Sequence, residues 1–408
     1  MKILFYCTFP NQSNGYARIG YNITNYLVSN HEEIEIYYFG ITASKQTFVD
    51  RFIHPRIKLI NVIEESPTKN EYGDDLIVNK INEIHPDIVF LYNDILVLSR
   101  MISQINTIAQ PRPFQVYTYI DLVYPFENQE LISFIAQSTD KFFVFSEIWK
   151  KHLTEDYLIP LDRVFVLKHG LDISKIFPIE YERARSYFGF HPDDFVFINL
   201  NRNTHRKAID ITIRAFLQLL KRHPERANHL KLFLNGLEEN SSYPNLKIIE
   251  LECKKLGLDY SFVSNHLILI NKNIISDFEL NLLYNACNVG VNSCMGEGFG
   301  LCNLEHASVG KPQIMTFTGG LKDIFDKEHS ILIEPAAEIY APKILEITGG
   351  YLQIGSVKDF TDGMEFYLLN PEKGKMDGLY YKNYIPENYN WNKILKEFYE
   401  NHLSSINK

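Results

Sequence analysis

Residues 296–305 read Gly-Glu-Gly-Phe-Gly-Leu-Cys-Asn-Leu-Glu, and they place two carboxylates, Glu297 and Glu305, eight residues apart across a glycine-rich turn. An apolar run at 288–292 precedes the turn and reads as a buried strand, and 301–309 reads as the helix that follows. The turn then opens a helix N-terminus, where unpaired amides and the helix dipole favour an anion. Glu297 falls in the turn, and Glu305 about one helical turn inside. A phosphate seated on the amides of the turn, flanked by two carboxylates that seek hydroxyls, is chemistry suited to a nucleotide-sugar.

A second candidate is the polar run from Asn199 to Lys207, which follows a strand-like segment and leads into a helical pattern at 208–222. Arg202 offers a planar fork and Lys207 a point charge, and together they suit a diphosphate. A solvated loop carrying surface bases is the competing reading. Asn14-Gly15-Tyr16 lies after the first strand-like run, where Gly15 lets backbone approach a phosphate or sugar closely. Asp121 ends another such run and is suited to orienting a sugar or acceptor hydroxyl, with a turn or helix cap as the plain alternative. His205 and His306 lie near these loops and read as solvated or structural. The GxGxG at 296–300 is not the dinucleotide fingerprint, and it lies far from the first strand-helix unit. Neither a Walker lysine pattern, an HExxH pair nor an Asp-x-Asp motif occurs. No metal is therefore expected, and the charge of Arg202 and Lys207 takes its place.

These loops need a scaffold that presents strand ends. In the first part of the chain, apolar runs at 2–9, 34–40, 57–62, 87–92, 115–120, 141–146 and 164–168 alternate with helical stretches at 16–27, 74–84 and 95–109. A second series has strands at 194–199, 231–235, 266–270, 288–292 and 313–317. Such alternation implies parallel, doubly wound sheets, here two of them. Between the series, 169–172 and Phe177-Pro178 carry the punctuation of a hinge. Residues 340–378 are poorly periodic, and 387–404 have the spacing of a terminal helix containing Trp391.

Composition narrows the class. The chain has 408 residues, 45% hydrophobic and 22% charged, which is ordinary for a globular protein of two or three domains. A net charge of −9 argues against a general nucleic-acid binder. Five cysteines without a CxxC pair point to a reduced, cytosolic setting without structural zinc. No apolar stretch is long enough to span a membrane, and the start reads as a strand rather than a leader. Peripheral contact with a membrane surface needs no spanning segment and stays open.

Taken together, the chain resembles the retaining glycosyltransferases of family GT4, which have the GT-B fold. Glu297 and Glu305 resemble the family's E-x7-E motif, and Arg202 with Lys207 its arginine-and-lysine clamp, although Ala208 stands where a glycine usually follows. Residues 168–172 resemble its turn into the linker, with His169 where asparagine is common. Gly310-Lys311-Pro312 and Gly319-Gly320 resemble further family patterns. Composition and motif style are similar to those of glycosyltransferases from large algal DNA viruses such as chlorella viruses, which would make the setting a host cytoplasm.

The resemblance implies two doubly wound Rossmann-like domains facing each other across a cleft. It divides the chain into an acceptor-side domain (1–172), a linker (173–193), a nucleotide-sugar domain (194–380) and a helix crossing back to the first domain (381–408). It further implies that Arg202 and Lys207 neutralise the donor diphosphate and that Glu305 binds ribose. Glu297 and the amides of 298–301 would hold the donor sugar and phosphate, Gly15 would approach the phosphate, and Asn271 and Lys272 would frame the base. Many relatives have a histidine where Ile120 precedes Asp121, which leaves Asp121 to take part of that role. The implied activity is metal-independent transfer of a hexose from GDP-mannose or a UDP-hexose to a glycan or glycoconjugate hydroxyl, with no tightly bound cofactor. A sugar-nucleotide epimerase or hydrolase of the same architecture, and a non-catalytic nucleotide-sugar binder, stand as alternatives.

Overall fold

The computed structural model describes residues 1–235, 242–270, 275–342 and 346–406, and the chain divides into two compact units. The first unit comprises Met1–Gly170, Thr348–Gly350 and Trp391–Lys408; the second comprises Leu171–Ile347 and Tyr351–Asn390. Residues 173–193, expected as a linker, group with the second unit and include a helix. Among the described residues no helix is long and apolar enough to cross a membrane.

The first unit is built on seven parallel strands: β1 (Lys2–Thr8), β2 (Glu35–Ile41), β3 (Ile57–Asn61), β4 (Ile88–Asp94), β5 (Gln115–Asp121), β6 (Lys141–Val144) and β7 (Val164–Val166). Their order is β3-β2-β1-β4-β5-β6-β7. The inner strands are buried on both faces, as β1 shows from Ile3 to Thr8, because helices cover both sides of a parallel sheet. Helix α1 (Gly15–Asn30) follows β1, and the Asn14 side chain caps it by accepting from the Ala17 amide at 2.9 Å. Helix α2 (Ile95–Ile105) follows β4 and starts on Asp94, whose carboxylate accepts from the Leu96 and Val97 amides.

Residues from the far end of the sequence complete this core. The terminal helix Trp391–His402 places Phe398 edge-on to Phe90 and Phe143, with ring centroids 6.0 and 5.3 Å away. The Tyr117 hydroxyl donates to the His402 carbonyl at 3.3 Å. A Cβ at Gly170 would lie 2.5 Å from the Trp391 ring, so the indole occupies the space that the glycine leaves. The sequence pattern at 387–404 suggests one continuous helix. The structure instead ends one helix at Asn388 and starts the next at Trp391. The break leaves the Tyr389 carbonyl to accept from the Leu171 amide at 2.6 Å.

The second unit has six parallel strands: β8 (Phe195–Asn199), β9 (Leu230–Asn235), β10 (Leu267–Ile270), β11 (Val289–Asn292), β12 (Gln313–Thr316) and β13 (Ile331–Ile333). The order is β10-β9-β8-β11-β12-β13. Four of its helices matter below: α3 (Tyr181–Phe188), α4 (Ile209–Arg222), α5 (Asp277–Ala286) and α6 (Leu301–Ser308). Strand β13 and an antiparallel hairpin, β14 (Ala337–Tyr340) with β15 (Tyr351–Ile354), went unread in the sequence. In both sheets the strand order reverses beside the first strand, between β1 and β4 and between β8 and β11. Ligands in open parallel sheets sit at the carboxyl ends of strands flanking such a reversal.

Trp391 is 8% exposed. Replacing it with alanine (Trp391→Ala) is expected to destabilise the first unit by about 3–5 kcal/mol. Chemical denaturation checks this as a lowered midpoint relative to the parent chain.

Candidate functional site

In the second unit, the loops leaving β8 and β11 meet where the strand order reverses. Buried hydroxyl and amide groups stitch them together. The Asn199 side-chain amide donates to Thr212 Oγ1 at 3.0 Å, and the Thr212 and Ser293 hydroxyls share a 2.7 Å bond. Ser293 Oγ donates to the Ala208 carbonyl at 2.8 Å, and the Met295 amide donates to the Arg206 carbonyl at 2.8 Å. Three of these bonds, from Ser293 to Thr212 and Ala208 and from Met295 to Arg206, fix the acidic loop on the segment that carries the basic one.

Charge then converges. Lys207 Nζ bonds to Glu297 Oε2, with both residues 8% exposed. Arg206 Nη1 donates to the Gly296 carbonyl at 2.9 Å and lies 3.7 Å from Glu297 Oε1. Burial pushes the Glu297 carboxyl up, but Lys207 and Arg206 together outweigh it and hold the group below its ordinary range. It therefore stays ionised at neutral pH. Burial also pushes the Cys294 thiol beside it up to about 12, so that sulfur is no nucleophile there.

The glycines set the turn. Gly300 caps α6 with φ +101°, and a Cβ on it would lie 2.4 Å from Leu321 Cδ2, so both conformation and space exclude a side chain. Gly320 presses on the same turn: its amide donates to the Glu297 carbonyl at 3.0 Å, and a Cβ there would sit 2.2 Å from the Gly298 carbonyl oxygen. Gly298, Phe299, Gly300 and Leu301 thus lead into the N-terminus of α6, the positive end of its dipole. Glu305 is buried in the second turn of α6 and accepts from the Tyr284 hydroxyl at 3.0 Å. Beneath the helix, Asn292 donates to Asn303, Asn303 to Gln313, and Gln313 approaches His306 Nδ1 at 3.1 Å. Burial pushes His306 down to about 3, so it serves this network as a neutral ring.

Of the sequence candidates, the structure brings Lys207, Glu297 and the turn at 298–301 into one place, with Glu305 on the helix that the turn opens. Arg202 is exposed at the start of the basic loop and pairs with no carboxylate among the described residues. Asn271 and Lys272 lie outside the described residues. In the first unit, Gly15 opens α1 beside the end of β1, and Asp121 ends β5. The Tyr16 hydroxyl donates to Asp121 Oδ2 at 2.6 Å, which joins these two candidates at the carboxyl edge of that sheet. Two contributors went unread. Arg206 adjoins Lys207 in a basic run that was visible, whereas Tyr284 sits on α5 and no motif signals it.

Known proteins are similar to this chain in part of its sequence and in its fold. Residues 181–350 match the family model described as Glycosyl transferases group 1. Mannosylfructose-phosphate synthase of Agrobacterium fabrum is 26% identical over 212 residues, 51% of this chain and 44% of that protein. The chain thus spans less than half the length of that curated relative. Among solved structures, sucrose-phosphate synthase from Thermosynechococcus elongatus superimposes with a TM-score of 0.72 at 14% identity, covering 98% of each chain. Anabaena HepE, solved in complex with UDP-glucose, gives 0.69 at 14% identity, covering 99% of this chain and 100% of that one. At such identities the likeness shows the fold, two parallel-sheet Rossmann-like α/β domains of GT-B type. The family match covers 170 of the 408 residues.

Folding lowers the Glu297 pKa, so its stabilisation is present above the ordinary carboxyl value of 4.5 and is lost as pH falls below it. Glu297→Gln leaves Lys207 buried without its counter-charge. The substitution is expected to cost about 3–5 kcal/mol at neutral pH and to remove this share of the acid dependence. Unfolding midpoints of parent and variant at pH 7 and pH 4 check both statements.

Proposed function

We propose that the chain is a retaining glycosyltransferase that moves a hexose from a nucleotide diphosphate sugar to a hydroxyl of a glycan or glycoconjugate, without a metal. The observation that carries this reading is the buried meeting of Lys207, Arg206 and Glu297 beside the N-terminus of α6. Arg202, Arg206 and Lys207 supply three positive charges against Glu297 and Glu305, a surplus of one. A diphosphate ester carries about two negative charges, and this surplus acts together with the positive end of α6 to offset them without a cation. The six-stranded sheet presents this cluster at its order reversal, where such folds take ligands.

In this reading the diphosphate lies on the amides of 298–301 and against Arg202 and Lys207. Negative charge grows on the leaving phosphate as the glycosidic bond breaks, and the cations and the helix terminus stabilise it most at that moment. The acceptor hydroxyl attacks from the face the phosphate leaves, and its proton passes to the departing phosphate oxygen. No side chain of the protein has to act as base. Glu305, steadied by Tyr284, accepts from ribose hydroxyls, and Glu297 faces the sugar while it orients Lys207. Asp121 and the Gly15 turn, joined through Tyr16, belong to the acceptor side. Of the two donors expected, a UDP-hexose gains support from UDP-glucose in the Anabaena structure. Five unpaired cysteines are in keeping with a reduced, cytoplasmic setting.

Replacing Arg202 and Lys207 together by alanine removes two charge-assisted contacts, each contributing about 1.5–3 kcal/mol. Turnover of nucleotide-sugar is expected to fall at least about a hundredfold; activity within a few-fold of the parent overturns the assignment. Glu305→Ala is expected to weaken nucleotide affinity about tenfold or more, read by calorimetric titration with UDP and GDP. Unchanged affinity removes Glu305 from the ribose role.

A further inference from the structure

The opposite edge of the second sheet holds a basin of about 540 Å³ at the amino ends of β8, β9 and β10. Strands of five residues span roughly 17 Å, so this basin is well removed from the Lys207–Glu297 cluster at the carboxyl ends. Its size lies in the range of small-molecule sites.

Three phenylalanines form its apolar part. Phe188 and Phe190 stack with ring centroids 5.8 Å apart, and Phe233 stands edge-on to Phe188 at 6.3 Å. Three basic side chains line the remainder. Lys231 Nζ donates to the Asn265 carbonyl at 3.0 Å and meets no carboxylate among the described residues. The His191 and His229 rings lie 5.2 Å apart. One carboxylate, Asp194, lines the basin too, but both of its oxygens are committed. Oδ2 accepts from the His191 amide at 2.9 Å, and Oδ1 faces His229 Nδ1 at 3.4 Å. His191 also has Asp193 3.6 Å from its Nδ1.

We propose that this basin is a second ligand site, which takes a planar aromatic ring joined to a single acidic group. The ring lies on the phenylalanines, where offset or edge-on contact is favourable. The acidic group meets Lys231 and His229, which gain a charge-assisted partner there. A neutral aromatic molecule leaves Lys231 unused, and a bare anion leaves the apolar floor uncovered. The site does not depend on the donor site or its chemistry.

Phenyl phosphate is the probe, with phenol and inorganic phosphate as its two halves, titrated into the full chain while the imidazole NMR signals of His191 and His229 are followed. The expected result is a saturable shift of both rings, with phenyl phosphate binding at least about tenfold more tightly than either half. The variant Lys231→Met with His229→Gln is expected to weaken this at least about tenfold, read on His191, whereas the exposed Arg202→Met leaves this second-site binding unchanged. Should the double variant lose its fold, Lys231→Met alone decides by the same readout. No saturable shift, equal binding by either half, or loss in Arg202→Met with none at Lys231 overturns the proposal.

Discussion

A carboxylate taken out of water must find a counter-charge or give up its own, and Glu297 has found Lys207 with Arg206 behind it. That requirement governs how the loops of the second unit are built. A pair removed from solvent tolerates little error in position, so the two loops that carry it are bound to each other through Asn199, Thr212 and Ser293 as well as through the charges. The same stitching explains why Lys207, at the end of an otherwise polar run, is buried while Arg202 at its start is exposed.

Close backbone approach is the second constraint. The turn before α6 has no room for side chains on two sides: Gly300 faces Leu321, and Gly320 faces the Gly298 carbonyl. Two glycine patterns that lie far apart in sequence are thus one object in space, a compressed turn whose amides begin a helix. Neither pattern makes sense alone. A positive φ accounts for Gly300, whereas Gly320 is required by proximity, with its own φ at −63°.

Much of this was legible in advance because parallel sheets write their signal plainly. All seven strands of the first sheet and five of the six in the second are apolar runs with helical stretches between them. The sixth, Ile331–Ile333, is three residues long and too short to carry a pattern. The hairpin Ala337–Tyr340 with Tyr351–Ile354 was hidden because β14 is exposed along its whole length and shows no alternation. Within the site, Glu297, Glu305 and Lys207 could be picked out since glycines and charge cluster around them. Tyr284 could not, because a tyrosine on a buried helix face looks like core until its hydroxyl is seen to reach Glu305. The helix break at Tyr389 was equally silent. It follows from where the Leu171 amide needs an acceptor, a tertiary demand with no local cue.

The first unit draws Phe398 and Trp391 into a structure whose strands come from residues 2–166. On the ribosome, the early strands emerge long before their last partners, at about 5–20 residues per second over more than two hundred intervening positions. Until residues 391–402 have been made, the rings of Phe90 and Phe143 lack the covering contact that Phe398 supplies, and the sheet waits for it with that apolar face open.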